Sequence, residues 1–219
     1  CSRRHFYGVS CVKFKKKITK STLNPLRNGR ISLEFRVDGN GRTFLFRQFA
    51  SYPFHVCKVQ YQDPHNQNIA TLYSQSCSGG IYENDSHKLE LIAGPDAEVH
   101  FTSQASTIIH TMYGQNAEQI MTITAKSRSY VEYLPDPQIL FPNSKFNSKI
   151  KIKIDEGATV LISDSFLTHD PSFQNKVPDL YQSEIIIDDG QGKTLAIDRL
   201  NIENWAFQTC TPGILGDYK

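Results

Sequence analysis

Apolar and polar residues alternate with a period of two along most of this chain, the spacing of strands with one buried and one wet face. Ile31-Ser-Leu-Glu-Phe-Arg-Val37 alternates strictly, turns at Asp38-Gly39-Asn40-Gly41 and resumes in Thr43-Phe-Leu-Phe46. Asp-Gly and Asn-Gly tolerate positive φ, which a tight hairpin requires. Residues 54–62 and 69–75 predict a second strand pair, joined by the polar loop Asp63-Pro64-His65-Asn66. Helical periodicity is scarce. The spacing predicts two helical turns over 104–112 and one over 202–208, and Pro171 to Pro178 reads as a loop.

The strand–turn–strand unit recurs. Residues 88–93 turn at Gly94 into 97–103, and 119–124 turn through 125–129 into 130–134. Residues 149–154 turn at Asp155-Glu156-Gly157 into 158–163, and 184–187 turn at Asp188-Asp189-Gly190 into 193–197. From 125–129 onward the turns fall about every 30 residues, the mark of stacked units too small to bury their apolar faces alone. Burying each Leu, Ile or Phe contributes about 1.5–3 kcal/mol, which fixes strand register. In Lys149-Ile-Lys-Ile-Lys-Ile-Asp155 the lysines read as a solubility device on an edge or outer face. The expected fold is all-β, layered or solenoid-like, in one domain.

A chain of 219 residues can build one substantial core or two small ones. Its 39% hydrophobic and 21% charged residues exclude a disordered or membrane-spanning class. A net charge of +2 gives no argument for a nucleic-acid or membrane partner. Arg3, Arg4, Lys13, Lys15, Lys16, Lys17 and Lys20 cluster at the front as a solvated face or tail, the alternative being a docking surface for an acidic partner. Cys1, Cys11, Cys57, Cys77 and Cys210 form no C-x-x-C pair, so reduced thiols of a cytoplasmic protein are expected rather than disulfides or structural zinc. Cys1-Ser2 is expected to be a trimmed end rather than a processed lipoprotein end.

Enzyme signatures are missing: there is no G-x-S-x-G, P-loop, H-E-x-x-H or G-x-G-x-x-G. The paired Asp188-Asp189 is accounted for by turn chemistry. Gly79-Gly80 lacks the Lys-Ser/Thr of a phosphate loop. His100 shares a polar strand face with Glu98 and Thr102. Together with Asp85 and His87 it is a candidate for transient cation contact. Two polar islands stand out, Thr102-Ser103-Gln104-Ala105-Ser106 and Val131-Glu132-Tyr133-Leu134-Pro135-Asp136-Pro137. With Asp85 they could line one shared polar feature.

These residues resemble the motifs of the urease accessory protein UreD family, called UreH in some organisms. Gly79, Gly80 and Asp85 match its Gly-Gly-x-x-x-Gly-Asp turn, with Asn84 in place of the last glycine. The 102–106 island is similar to its Thr-Thr-Gln motif, and Val131 to Pro137, followed by Phe141, looks like its Leu-Glu-Tyr-Leu-Pro-Asp-Pro run. Two departures are visible: Ile108 or Ile109 stands where the family usually has a lysine, and residues 164–170 replace a Gly-Arg and Gly-Glu pair. An acidic role there falls to Asp164 or Asp170.

The resemblance implies a two-layered β-helical fold with one or two short helices, lacking C-terminal strands of the family. It also implies a non-catalytic chaperone that assists nickel insertion into apo-urease. The implied partners are apo-urease, a helical F-type accessory protein and a G-type accessory GTPase, with a dimer allowed in the complex. No tightly bound cofactor is implied, only transient Ni²⁺ passing along an internal polar tunnel. The tunnel or partner-positioning residues would be Gly79, Gly80, Asp85, Thr102, Ser103, Gln104, Glu132, Tyr133, Asp136 and Asp164. The competing reading is a β-solenoid carbohydrate-binding or carbohydrate-active protein.

Overall fold

The computed structural model describes residues 28–209, so the basic cluster from Arg3 to Lys20, and Cys1, Cys11 and Cys210, lie outside the described residues. The chain begins with an antiparallel hairpin, β1 (Asn28–Val37) and β2 (Thr43–Ala50), then a second, β3 (Phe54–Val56) and β4 (Ala70–Ser76). Three triangular coils follow. The first is β5 (Ser86–Ala93), β6 (Glu98–Ser103) and β7 (Thr107–Ile109). The second is β8 (Ala117–Ala125), β9 (Tyr130–Tyr133) and β10 (Gln138–Leu140). The third is β11 (Lys145–Ile154), β12 (Thr159–Ile162) and β13 (Phe166–Thr168). A closing hairpin, β14 (Leu180–Asp189) and β15 (Thr194–Glu203), runs into the short helix α1 (Asn204–Gln208).

The coils stack into three sheets. The first strands form a seven-stranded sheet in the order β15-β14-β11-β8-β5-β1-β2. The second strands form a five-stranded sheet, β12-β9-β6-β4-β3, and the third strands form β13-β10-β7. Coil-to-coil pairing is parallel and in register: Leu91 lies beside Ile123, Ile123 beside Ile152, and Ile152 beside Ile187. The layered, solenoid-like all-β expectation therefore holds. Strands adjacent in sequence do not pair inside a coil, however. The turn between β5 and β6 is a corner that carries the chain from one sheet to the facing one, so residues 88–103 are not a hairpin.

The corners explain their own sequences. Asp96, Arg128 and Gly157 take positive φ (61°, 58° and 73°) at one corner in successive coils. Asp96 accepts two hydrogen bonds from the Arg128 guanidinium, at 2.7 and 2.8 Å, across the coil boundary. Exposed pairs of this kind contribute about 0–1 kcal/mol, so the ladder sets geometry more than stability.

One expectation changes and one alternative is decided. Residues 107–109 form a strand, because Thr107-Ile108-Ile109 is β-branched throughout and pairs in parallel with β10. Of the two readings of the lysine-rich β11, an edge or an outer face, the outer face holds, since the strand lies between β14 and β8. Its lysines take the outer face, where Lys149 forms an ion pair with Glu184.

Two apolar cores fill the interior. The C-terminal halves of the long strands face the five-stranded sheet, burying Leu33, Leu91, Ile123 and Ile152 against Leu72, Val99, Phe101 and Val131. Their N-terminal halves face the three-stranded sheet, where Ala117, Phe146 and Tyr181 meet Ile109, Leu140 and Phe207. Ile123 is fully buried at the centre of the first core. Ile123→Ala is expected to cost about 2–5 kcal/mol in urea unfolding, whereas Lys151→Ser on the outer face should stay within about 0.5 kcal/mol.

Candidate functional site

Between the two cores the inward-facing apolar pattern breaks at the same step in four adjacent long strands, β5, β8, β11 and β14. His87 on β5 lies beside Gln119 on β8, Gln119 beside Ser148 on β11, and Ser148 beside Ser183 on β14. Gly29 on β1 continues the row past His87. Apolar residues flank it on both sides, Met121 and Ile150 towards one core and Ala117 and Phe146 towards the other. A polar seam thus crosses the parallel strands of the large sheet.

The facing wall comes from the corners where the five-stranded sheet hands over to the three-stranded one. A cavity of about 210 Å³ lies between the walls, lined by Gly79, Gly80, Ser103, Gln104, Thr107, Gln119 and Tyr133 among others. A second, of about 30 Å³, is lined by Gln119, Asp136, Gln138, Ser148 and Asp164. Thr107, Gln119, Tyr133 and Pro135 belong to both walls, so the cavities meet at Gln119. The smaller one has the share of liquid volume of about one water molecule.

The seam is rich in weak oxygen and amide donors. Asp164 accepts hydrogen bonds from the Ser183 hydroxyl and, at 3.3 Å, from the Tyr181 hydroxyl. Burial, with the Asp164 carboxylate second, pushes the Tyr133 and Tyr181 hydroxyls far above the ordinary phenol range. Both therefore remain protonated donors. The buried Oε1 of Gln138 has no hydrogen-bond partner among the described residues.

Of the residues named from the sequence, the structure brings Gly79, Gly80, Ser103, Gln104, Tyr133, Asp136 and Asp164 to these cavities. The Ser103 hydroxyl also accepts the Asp136 N–H at 2.8 Å, which joins the two polar islands across one coil step. Thr102, Glu132 and Asp85 are not in the cavity walls. Thr102 and Glu132 alternate with core residues and face outward; Thr102 donates to the Leu134 carbonyl at 2.6 Å. Asp85 is buried beneath the turn it closes, accepting the Tyr82 N–H at 2.8 Å. Asn84 in that turn has φ 66°, the left-handed geometry a glycine would otherwise supply.

Asp85, His87 and His100 do not converge. His87 packs edge-on against Phe54 inside the fold, whereas His100 Nδ1 lies 2.7 Å from Glu132 on the outer face. Among the described residues no three His, Cys, Asp or Glu side chains are grouped as a metal site needs. Asp170 is equally committed elsewhere: its carboxylate accepts from the Ser172 hydroxyl and from the Ser172, Gln174 and Lys176 N–H groups. An aromatic column, Tyr82–His110–Phe141–His169, climbs the three-stranded sheet with centroids 4.2, 5.5 and 5.8 Å apart. Its rings contact one another, which leaves little of the open, flat platform a sugar would need.

The family model described as UreD urease accessory protein matches residues 27–219. The chain belongs to the UreD family. A urease accessory protein UreD 1 from Pseudomonas syringae pv. syringae is 37% identical over 179 residues, covering 81% of this chain and 62% of the relative. Its namesake from Pseudomonas syringae pv. tomato is 33% identical, covering 89% of this chain and 68% of the relative. One from Methylorubrum populi is 34% identical, covering 77% and 58%. This chain thus spans less than two thirds of the length of the first and third of these relatives. No helix among the described residues is long and apolar enough to cross a membrane.

In this UreD chain the motif residues supply one wall of the seam, and the repeating strands supply the other. Gln119, Ser148, Ser183, Thr107 and Gln138 lie outside the motifs. Their signal is the alignment of the repeats, in which Gln119, Ser148 and Ser183 share one inward step and Thr107 and Gln138 share another, the latter ending at Phe166 in the third coil. The glycine pair shapes one end of the larger cavity. Gly80 has φ 137°, and a Cβ there would run into the Ile108 carbonyl and the His110 ring; at Gly79, with φ 73°, a Cβ would meet only the Tyr82 hydroxyl, in ordinary contact at 3.7 Å. Gly80→Ala is expected to destabilise by about 1–3 kcal/mol. Gly79→Ala should cost about 1–2 kcal/mol, from its left-handed backbone alone, as read from thermal unfolding.

The Asp170 loop gives a pH prediction. Hydrogen bonds from Ser172 and from the Lys176, Ser172 and Gln174 amides hold its carboxyl far below the ordinary value of 3.8. Because the folded value is depressed, its stabilisation is present above the unfolded value and is lost as pH falls below it. Asp170→Asn should therefore be less stable than the parent at neutral pH, with the difference shrinking below about pH 4 in acid-titration unfolding.

Proposed function

We propose that this UreD chain is a non-catalytic scaffold for urease maturation in the cytoplasm. It would join apo-urease to the helical F-type accessory protein and the G-type accessory GTPase. Nickel is its cargo, moving along the polar seam from the Gly79-Gly80 end past Gln119 towards Asp164. The observation that carries this reading is the seam itself, a row of one imidazole, one amide and two hydroxyls running between two apolar cores and facing the carboxylates of Asp136 and Asp164.

The chemistry of the donors supports passage over storage. Dense imidazole or thiolate ligation would trap Ni²⁺, whereas oxygen and amide donors replace part of its hydration and let it go. A constriction with room for about one water molecule makes the walls provide that replacement. Gln138 Oε1, Ser148 and Asp164 are placed to do so. An orphaned buried acceptor such as Gln138 Oε1 costs about 1–3 kcal/mol when nothing fills its lone pairs, so a transient cation or water there is favoured.

Pull-down with apo-urease and the two accessory proteins tests the scaffold, and no complex with any of them would sink it. Asp164→Asn and Gln119→Leu test the seam. Each is expected to lower urease activation about tenfold with complex formation intact. Unchanged activation in both variants, with normal complexes, would remove the passage role and leave the scaffold standing.

A further inference from the structure

β2 is an edge strand, paired with β1 alone among the described strands. Such a strand offers a row of backbone N–H and C=O groups to an incoming strand. Its outer face is unlike that of the middle strands of the large sheet; the other edge strand, β15, is apolar too, exposing Leu195, Ile197 and Leu200, but carries no aromatic ring. Lys88, Glu90, Thr122 and Lys151 decorate the middle strands, whereas β2 exposes Phe44, Phe46 and Phe49, the last to 52%. Arginines frame these rings. The Arg36 guanidinium lies 3.5 Å from the centre of Phe46, Arg47 lies 5.4 Å from the same ring, and Arg30 lies 5.9 Å from Phe49. Glu34 faces both Arg36, at 2.7 Å, and Arg47, at 3.9 Å, and Glu90 faces Arg30 at 3.8 Å, so three arginines meet two carboxylates and the strip keeps one positive charge in excess.

We propose that β2 is the docking edge for an extended, acidic segment of a partner protein, which adds to the large sheet as a further strand. Carboxylates of that segment meet the Arg36 and Arg47 guanidinium edges, and its apolar residues cover Phe46 and Phe49. Backbone pairing gives affinity, and the alternate side chains give selectivity. Charges and bulges on an edge usually discourage pairing, but three exposed phenylalanines on the same strand work the other way. A second copy of this chain fits poorly, since β2 against β2 would juxtapose arginines. A single-stranded nucleic acid fits poorly as well, because guanidinium groups already cover the ring faces of Phe46 and Tyr61 on which bases would stack.

The test uses the full chain and a synthetic strand-length peptide alternating Glu with Val and Tyr. Its Lys-for-Glu counterpart and an oligothymidylate are the comparison probes. Fluorescence anisotropy is expected to show the acidic peptide binding at least about tenfold more tightly than the Lys peptide, and weakening with salt. Arg47→Glu combined with Phe49→Ser should weaken it about tenfold, whereas Leu195→Ser on the opposite edge, β15, should not. Hydrogen exchange should slow in residues 43–50 on binding. Circular dichroism confirms that the variants, all at exposed positions, remain folded. The proposal is overturned by no binding up to about 1 mM peptide. Equal binding of both peptides, protection at β15 instead of β2, tighter binding of the oligonucleotide, or self-association abolished by Phe49→Ser would each overturn it too.

Discussion

In-register parallel stacking is the constraint on which this molecule rests. Each coil is too small to bury its own apolar face, so it is stable only against the next coil in the same register. A slip of one residue would turn Lys149, Lys151 and Lys153 inward and Ile150 and Ile152 outward, forfeiting several buried side chains at about 1.5–3 kcal/mol each. The corners serve the same end. Left-handed backbone at Asp96, Arg128 and Gly157 turns each coil at the same place, so a register set in the large sheet is carried into the five-stranded one.

Once register is fixed, any residue type that recurs at one step of the repeat becomes a continuous row. Apolar steps become the two cores, and one polar step becomes the seam. The seam is not required for stacking, because Thr102 already links adjacent coils through the Leu134 carbonyl outside the cavities. It carries a cost in the orphaned Gln138 Oε1 and in the hydroxyls that must find partners, as those of Tyr181 and Ser183 do on Asp164. A fully apolar interior would have avoided that cost, which argues that the polar step serves the protein's task rather than its folding.

The strands of the long sheet were legible because strict alternation, as in Ile31–Val37 and Lys149–Ile154, admits no other regular structure. Alternation cannot say whether a strand's neighbour is the next segment or one coil away, so residues 88–103 read equally well as a hairpin. The segment 107–109 is too short for a period to emerge, and its strand identity depends on β10. The motifs located one wall of the seam through Ser103, Gln104, Tyr133 and Asp136, and the departure at 164–170 added Asp164 to it. They also swept in Thr102 and Glu132, which the same period-two geometry turns outward. The other wall shows only when His87, Gln119, Ser148 and Ser183 are superposed as one position of the repeat.

The contrast between inside and outside explains why the His100 imidazole stands apart from the seam, of which His87 is a part. On the outer face of the five-stranded sheet, both Glu132 oxygens are taken, one by His100 at 2.7 Å and one by the Tyr130 hydroxyl at 2.6 Å. That trio is satisfied by its rung neighbours and would have to be dismantled to bind a cation. Inside, the donors at Gln119, Gln138 and Ser148 are harder, oxygen-rich and singly placed, and of the two carboxylates in the wall, Asp136 and Asp164, the second is already shared with two hydroxyls. In the proposed passage role, a wall that offers an ion a few weak contacts at a time would favour movement over residence, because no position among the described residues gathers enough ligands to replace a hydration shell.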